Sequence, residues 1–204
     1  MQGNSIGRAR DGGLLGNGRS GVEIFGADDN LVGGNVSGAS NDIAGNGGSL
    51  SGGNGMSVSG AGSNGNRILR NSKTDNEDLG IDLGSAEFGN GVTPDDPKDP
   101  DTGANALQNF PVLTSVAHSR GQTTIKGKLN SKPDKTFTIQ FFANPVGGEG
   151  KKFVGQKSVT TNTKGNVSFD LQPAQAILTG QTVTATAIDS GGNTSEFSAP
   201  KTAT

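Results

Sequence analysis

The feature that most constrains this chain is a run of very short apolar segments, each bracketed by glycine or asparagine. Gly21-Val22-Glu23-Ile24-Phe25-Gly26 and Gly55-Met56-Ser57-Val58-Ser59-Gly60 are two of them. Between Gly3 and Gly91 lie 24 of the 35 glycines. An interior helical glycine costs about 1 kcal/mol relative to alanine, so this half of the chain must be built from strands and turns.

The segments repeat. Gly21-Val22-Glu23-Ile24 recurs as Gly55-Met56-Ser57-Val58 and, at a shorter spacing, as Gly80-Ile81-Asp82-Leu83. A second series opens on asparagine: Asn30-Leu31-Val32, Asn41-Asp42-Ile43 and Asn66-Arg67-Ile68-Leu69. One or two apolar residues alternate with polar ones in each, the period-2 signature of a strand with one buried face. None is long enough to stand alone. Recurrence every few tens of residues marks a solenoid, in which each coil buries its apolar face by stacking on its neighbours. Glycine pairs such as Gly33-Gly34 and Gly47-Gly48 supply the left-handed angles of the corners. Asparagine tolerates those angles too, and stacked copies can hydrogen-bond up the coil as a ladder.

At this point the chain resembles a known family. Gln2-Gly3-Asn4-Ser5-Ile6-Gly7, Leu14-Leu15-Gly16-Asn17-Gly18, Gly21-Val22-Glu23-Ile24 and Asn41-Asp42-Ile43-Ala44-Gly45-Asn46 are similar to the repeats of secreted bacterial right-handed parallel β-helix proteins. The stretch from Leu79 through Gly91-Val92-Thr93-Pro94-Asp95-Asp96-Pro97 to Leu107-Gln108-Asn109-Phe110-Pro111-Val112 resembles the segment that closes those helices and leads into an Ig-like sandwich. The resemblance implies an all-β chain: about three coils of right-handed parallel β-helix, then an Ig-like antiparallel β-sandwich. It also implies an extracellular or cell-surface location.

Composition changes near Leu107, after which seven of the nine phenylalanines fall. Phe137, Ile139 and Phe141 alternate with Thr136, Thr138 and Gln140, predicting one face in and one face out. Further strands are predicted at 110–115, 123–129, 153–161, 167–171, 182–188 and 194–198. Turn chemistry such as Lys132-Pro133-Asp134 and Asp189-Ser190-Gly191-Gly192-Asn193 separates them. About seven strands in roughly a hundred residues is the size of an immunoglobulin-like sandwich. With no cysteine and no tryptophan, Ile139, Phe141, Phe169 and Val183 must fill its core. The predicted organisation is β-helix over 1–91, an acidic proline-rich linker over 92–106 and sandwich over 107–204.

A formal net charge of −2 with scattered Lys and Arg gives no electrostatic footprint for nucleic acid. No apolar stretch approaches the length of a membrane span, so no membrane insertion is predicted. Met1 is followed at once by a repeat already in progress, which predicts coils of a longer precursor ahead of it. The first coil is therefore expected to present an open end around Ile6, Leu14 and Leu15. That end should find a cap or contact another copy, as a trimer, a head-to-tail fibre or a swapped dimer.

Parallel β-helices include enzymes that act on acidic polysaccharides, and those need an arginine with calcium-binding carboxylates, an aspartate triad, or a tyrosine and histidine pair. This chain has no tyrosine, and its one histidine, His118, falls in the predicted sandwich as a surface residue. Asp28-Asp29 reads as a corner, and Arg67, Arg70 and Asp82 as solvated outward residues of half-buried strands. The sequence therefore predicts no catalysis. A noncatalytic structural or adhesive module is expected, with a polysaccharide-binding or polysaccharide-degrading fragment as the alternative, and with further coils, other copies or extracellular polysaccharide as partners. The ligand candidate is the linker. Asp95, Asp96, Asp99 and Asp101 alternate with prolines, and closely spaced carboxylates in a stiff loop suit calcium, which takes six to eight oxygens. The same run also reads as a proline-stiffened, charge-extended spacer with no ion.

Overall fold

A computed structural model describes residues 1–48, 53–84 and 91–204. The chain is all-β, with 15 strands and one short turn of 3-10 type among the described residues. Its first half is a parallel β-helix of three coils. Strands β1 (Ser5–Ile6), β4 (Asp42–Ala44) and β7 (Ser72–Thr74) form one face, β2 (Val22–Phe25), β5 (Met56–Ser59) and β8 (Ile81–Leu83) a second, and β3 (Leu31–Gly33) with β6 (Arg67–Leu69) a third. All of these pairs are parallel and in register, with Val22 over Met56 over Ile81 and Ile24 over Val58 over Leu83. The glycine-led repeats are thus one sheet, as expected. Register offsets run from 25 residues (Met56 to Ile81) to 37 (Ser5 to Asp42). Variable corners absorb that spread while the inward columns keep their stacking.

The asparagines form ladders with one repeating geometry. In five cases the backbone N–H and Nδ2 of one asparagine both donate to Oδ1 of the asparagine one coil on: Asn4 to Asn41, Asn41 to Asn71, Asn17 to Asn46, Asn46 to Asn76, and Asn30 to Asn66, at 2.8–3.2 Å. The sequence placed Asn30, Asn41 and Asn66 in one series. The structure puts Asn41 on a different corner, in a ladder with Asn4 and Asn71; Asn41-Asp42-Ile43 has the same Asn-X-apolar step as Asn30-Leu31-Val32 and Asn66-Arg67-Ile68, and only the stacking distinguishes them. Asn41, Asn46, Asn66 and Asn71 are fully buried, and their paired amides meet the requirement that buried polar groups find partners.

The second half is a two-sheet sandwich. β9 (Val112–Ser119), β10 (Gln122–Asn130) and β13 (Asn166–Leu171) make one sheet. β11 (Thr136–Asn144), β12 (Lys152–Thr160), β14 (Thr182–Ile188) and β15 (Lys201–Thr202) make the other. Ile139, Phe141, Phe169 and Val183 all lie in the core between them, with Phe141 and Phe169 edge to face at 5.6 Å. Two expectations need correction. Residues 194–198 are not a strand, and the last strand is β15 instead. Nor is the second face of β11 exposed: Gln140, Phe142 and Asn144 are buried, as are Thr184 and Thr186 of β14. The side chains of Gln140 and Phe142 on that outer face contact the last β-helical coil and its neighbours.

Truncating Phe141 to alanine removes a fully buried ring from between the sheets, and should cost about 3–5 kcal/mol in urea or thermal unfolding. A loss under 1 kcal/mol would contradict the core described here.

Candidate functional site

Two places in the molecule concentrate buried polar chemistry: the joint between β-helix and sandwich, and the aspartate-rich linker beside it.

At the joint no further coil follows among the described residues, so the outward N–H groups of the last coil need other acceptors. The chain supplies one at each face. Ile68 N donates to Thr194 Oγ1 at 3.0 Å, Lys73 N to the Gly150 carbonyl at 3.2 Å, and Leu83 N to Glu196 Oε1 at 2.9 Å. Two of the three ladders end in the same way. Asn76 directs both N–H and Nδ2 at Glu149 Oε2, at 3.1 and 2.6 Å, and Asn66 N donates to Asn105 Oδ1 at 2.9 Å. Asn105 is held in a left-handed turn at Ala104–Leu107 and passes its own Nδ2 to the Thr194 and Asn66 carbonyls. Arg70 N donates to Gln140 Oε1, and Glu196 Oε2 accepts from Thr93 N.

These contacts correct two sequence expectations. Arg70 is not on a solvated face: its guanidinium lies 4.3 Å from the Phe153 ring centre and donates to Gln156 Oε1 and the Asn35 carbonyl. Asp82 is not solvated either. It is 3% exposed, and its two oxygens accept from Asn54 Nδ2 and Gly91 N, both at 3.1 Å. Arg67 is exposed and Asp28-Asp29 forms an exposed corner, with Asp29 at φ 57°. His118 is half-buried, with Nδ1 3.3 Å from Thr123 Oγ1. Glu149, Thr194 and Glu196 carry the joint, and nothing in the sequence singled them out.

Lys73 shows what the joint demands electrostatically. It pairs with Ile43, which pairs with Ile6, so its stem extends an apolar column and its Nζ sits 5.0 Å from the Phe197 ring centre. Burial lowers its pKa to about 7, against an opposing pull from Glu149. Burial also raises Glu196 to about 7, and raises Glu149 and Asp82.

In the linker the structure brings three of the four predicted aspartates together. One carboxylate oxygen each from Asp96, Asp99 and Asp101 lies within 4.8 Å of the others. Asp95 stands apart, because its Oδ1 accepts the Phe110 N–H at 2.9 Å. Asp99 is fully buried: Oδ2 accepts from the Ser131 hydroxyl, while Oδ1 has no hydrogen-bond partner. Asp96 Oδ1 and Asp101 Oδ1 are also buried and unpartnered, as is Oε1 of Gln108, whose Nε2 donates to the same Ser131 hydroxyl. Burial first, then mutual repulsion, lifts Asp101 to about 6, and burial raises Asp99. The segment is not a free spacer. Asn109 bonds Asp96 through N–H and carbonyl, and Lys98 N donates to Asn130 Oδ1. Carboxylates held this close, with unpartnered oxygens, are the donor set of a hard cation such as Ca²⁺.

The chain matches no protein-family model, and no curated protein matches it in sequence.

The carboxyls of the joint fix a pH dependence. Glu196 has a folded pKa above its unfolded value, so its contribution is complete below about pH 4.5 and is lost as pH rises through about 7. Glu149 and Asp82 act in the same direction, and Lys73 adds stability as pH rises above 7. The melting temperature should fall between pH 5 and pH 7, and Glu196→Gln should flatten that fall. An unchanged slope in the variant would contradict the assignment.

Proposed function

We propose that this chain is a noncatalytic extracellular structural module, a stretch of β-helical stalk closed by a sandwich domain, with Ca²⁺ held by Asp96, Asp99 and Asp101 to fix the linker. The observation that carries this reading is the joint. Arg70, Lys73, Asp82, Glu149 and Glu196, the charged side chains best placed near the β-helix to do chemistry, are engaged in the last coil or the joint, Glu149 and Glu196 by accepting its N–H groups. A group already engaged by backbone N–H and ring contacts is poorly placed to act on a substrate. The extracellular location rests on the resemblance to secreted right-handed β-helix proteins and to the Ig-like modules of surface proteins.

Calcium suits this role because the linker aspartates are costly without it. Each buried carboxylate repels its neighbours and has one oxygen without a donor, and a divalent cation would neutralise them and tie residues 96–101 to the sandwich at Ser131, just after β10. Rigid coupling of stalk to sandwich is what a surface module under load requires.

Titration calorimetry on chelator-treated protein tests this. One Ca²⁺ per chain is expected, with stabilisation of about 2.7 kcal/mol at a hundredfold excess over Kd. For a chain of this size that is a rise in melting temperature of about 5–10 °C. Asp99→Asn should abolish the heat and the shift, while Asp134→Asn, on an unrelated turn, should retain both. No heat and no shift at millimolar Ca²⁺ would remove calcium from the proposal.

A further inference from the structure

The two ends of the coil stack are not equivalent, and the difference identifies what the open end binds. In every ladder step the asparagine nearer the N-terminal end donates and the one nearer the C-terminal end accepts. At the C-terminal end the acceptors are completed by Asn105, Glu149, Thr194 and Glu196. At the N-terminal end, Asn4, Asn17 and Asn30 all donate into the second coil, and none of the described residues donates to their Oδ1 atoms. Each inner Oδ1 of the same ladders receives two N–H groups. The open face is therefore a set of three acceptors, each lacking the same pair of donors.

The apolar surface matches. Ile6 and Val22 are half-buried, whereas Ile43 and Met56 one coil on are 0% exposed; Leu14 and Phe25 lie instead beside Gly45 and Gly60 of the second coil, and Leu15 is exposed. Met1 already sits over the third face: its amino group donates to the Leu31 carbonyl and its own carbonyl accepts from Gly33 N, the parallel pairing of Met1 with Val32.

We infer that this face receives one further β-helical coil, running in the same chain direction, whose three corner asparagines donate N–H and Nδ2 to Asn4, Asn17 and Asn30. A second copy of this chain does not fit. Its C-terminal coil face is covered by its own sandwich, which excludes head-to-tail stacking. Its N-terminal face would set acceptors against acceptors. The occupant must present an uncovered trailing coil of the three-asparagine type, so its chemistry is that of a β-helical polypeptide lacking a sandwich at that face. The inference rests on the coil stack and is independent of calcium.

A coil of known type supplies the probe. Residues 32–67 duplicated directly ahead of Met1 keep Met1 in the position shared by Val32 and Ile68. A control fusion carries alanine at the duplicate's three ladder asparagines. The intact fusion should melt several degrees above the control, and the amides of its three added asparagines should be protected from exchange like those of Asn41 and Asn46. Equal melting of the two fusions, or added amides that exchange at the unprotected rate, would overturn the inference. Light scattering on the unfused chain should show a monomer from micromolar to millimolar concentration. A defined dimer would make the second copy the occupant and overturn the inference as well.

Discussion

The constraint on which the structure depends is the unsatisfied edge of a parallel coil stack. Each coil leaves a row of N–H groups that only a following coil can accept, and a buried N–H without a partner costs about 1–3 kcal/mol. Among the described residues there is no following coil after β8. The sandwich replaces it with one acceptor for each face of the helix: Thr194 for β6, Gly150 for β7 and Glu196 for β8. The joint is therefore the last turn of the β-helix, built from side chains of a different fold. Terminal repeats of a solenoid need such a cap, because their outer face has no neighbour to cover it.

Several otherwise odd features follow. Thr194–Ser198 runs beside β14 without completing a ladder, because the Ser195 and Ser198 hydroxyls rather than backbone carbonyls accept the Ala187 and Ala185 N–H groups, while Thr194 and Glu196 turn to the coil. β11 is buried on both faces because one faces Phe169 and the other faces Arg70. Lys73 can end an isoleucine column because its Nζ lies over the Phe197 ring, while the charge of Glu149 pulls against the effect of burial. Burial in the seam raises the pKa values of the carboxyls at the joint, against the N–H groups they accept, which lower them. Polarity follows too: the capped end supplies the acceptors, and the open end displays the same acceptors unfilled.

Much of the fold was legible in the sequence for local reasons. Glycine-led segments with alternating apolar residues can form little but stacked short strands, and Gly21, Gly55 and Gly80 aligned the β2–β5–β8 register correctly. The sandwich core was legible from the alternation around Phe141. Alternation assigns a residue to a face but does not say what covers that face, so Arg70, Asp82 and Gln140 were placed in solvent. The two asparagine corners merged because their local sequences are alike and the coil lengths vary. In the linker, spacing brought out the aspartates but not their division: Asp95 caps the Phe110 amide, and a long-range contact with Ser131 buries Asp99 among the others. Glu149 and Glu196 lie in unremarkable surface-like contexts, and their partners are some 70 to 110 residues away in sequence.

Native-state hydrogen exchange on the amides that the sandwich side chains accept, those of Ile68, Arg70, Asn76, Leu83 and Thr93, tests the central claim most directly. If the sandwich closes the coil stack, these five amides open only with global unfolding and exchange with the same free energy as Ile139 in the sandwich core. Exchange of the five through a low-energy local opening, while Ile139 stays protected, would show that the last coil does not depend on the sandwich and would contradict the account.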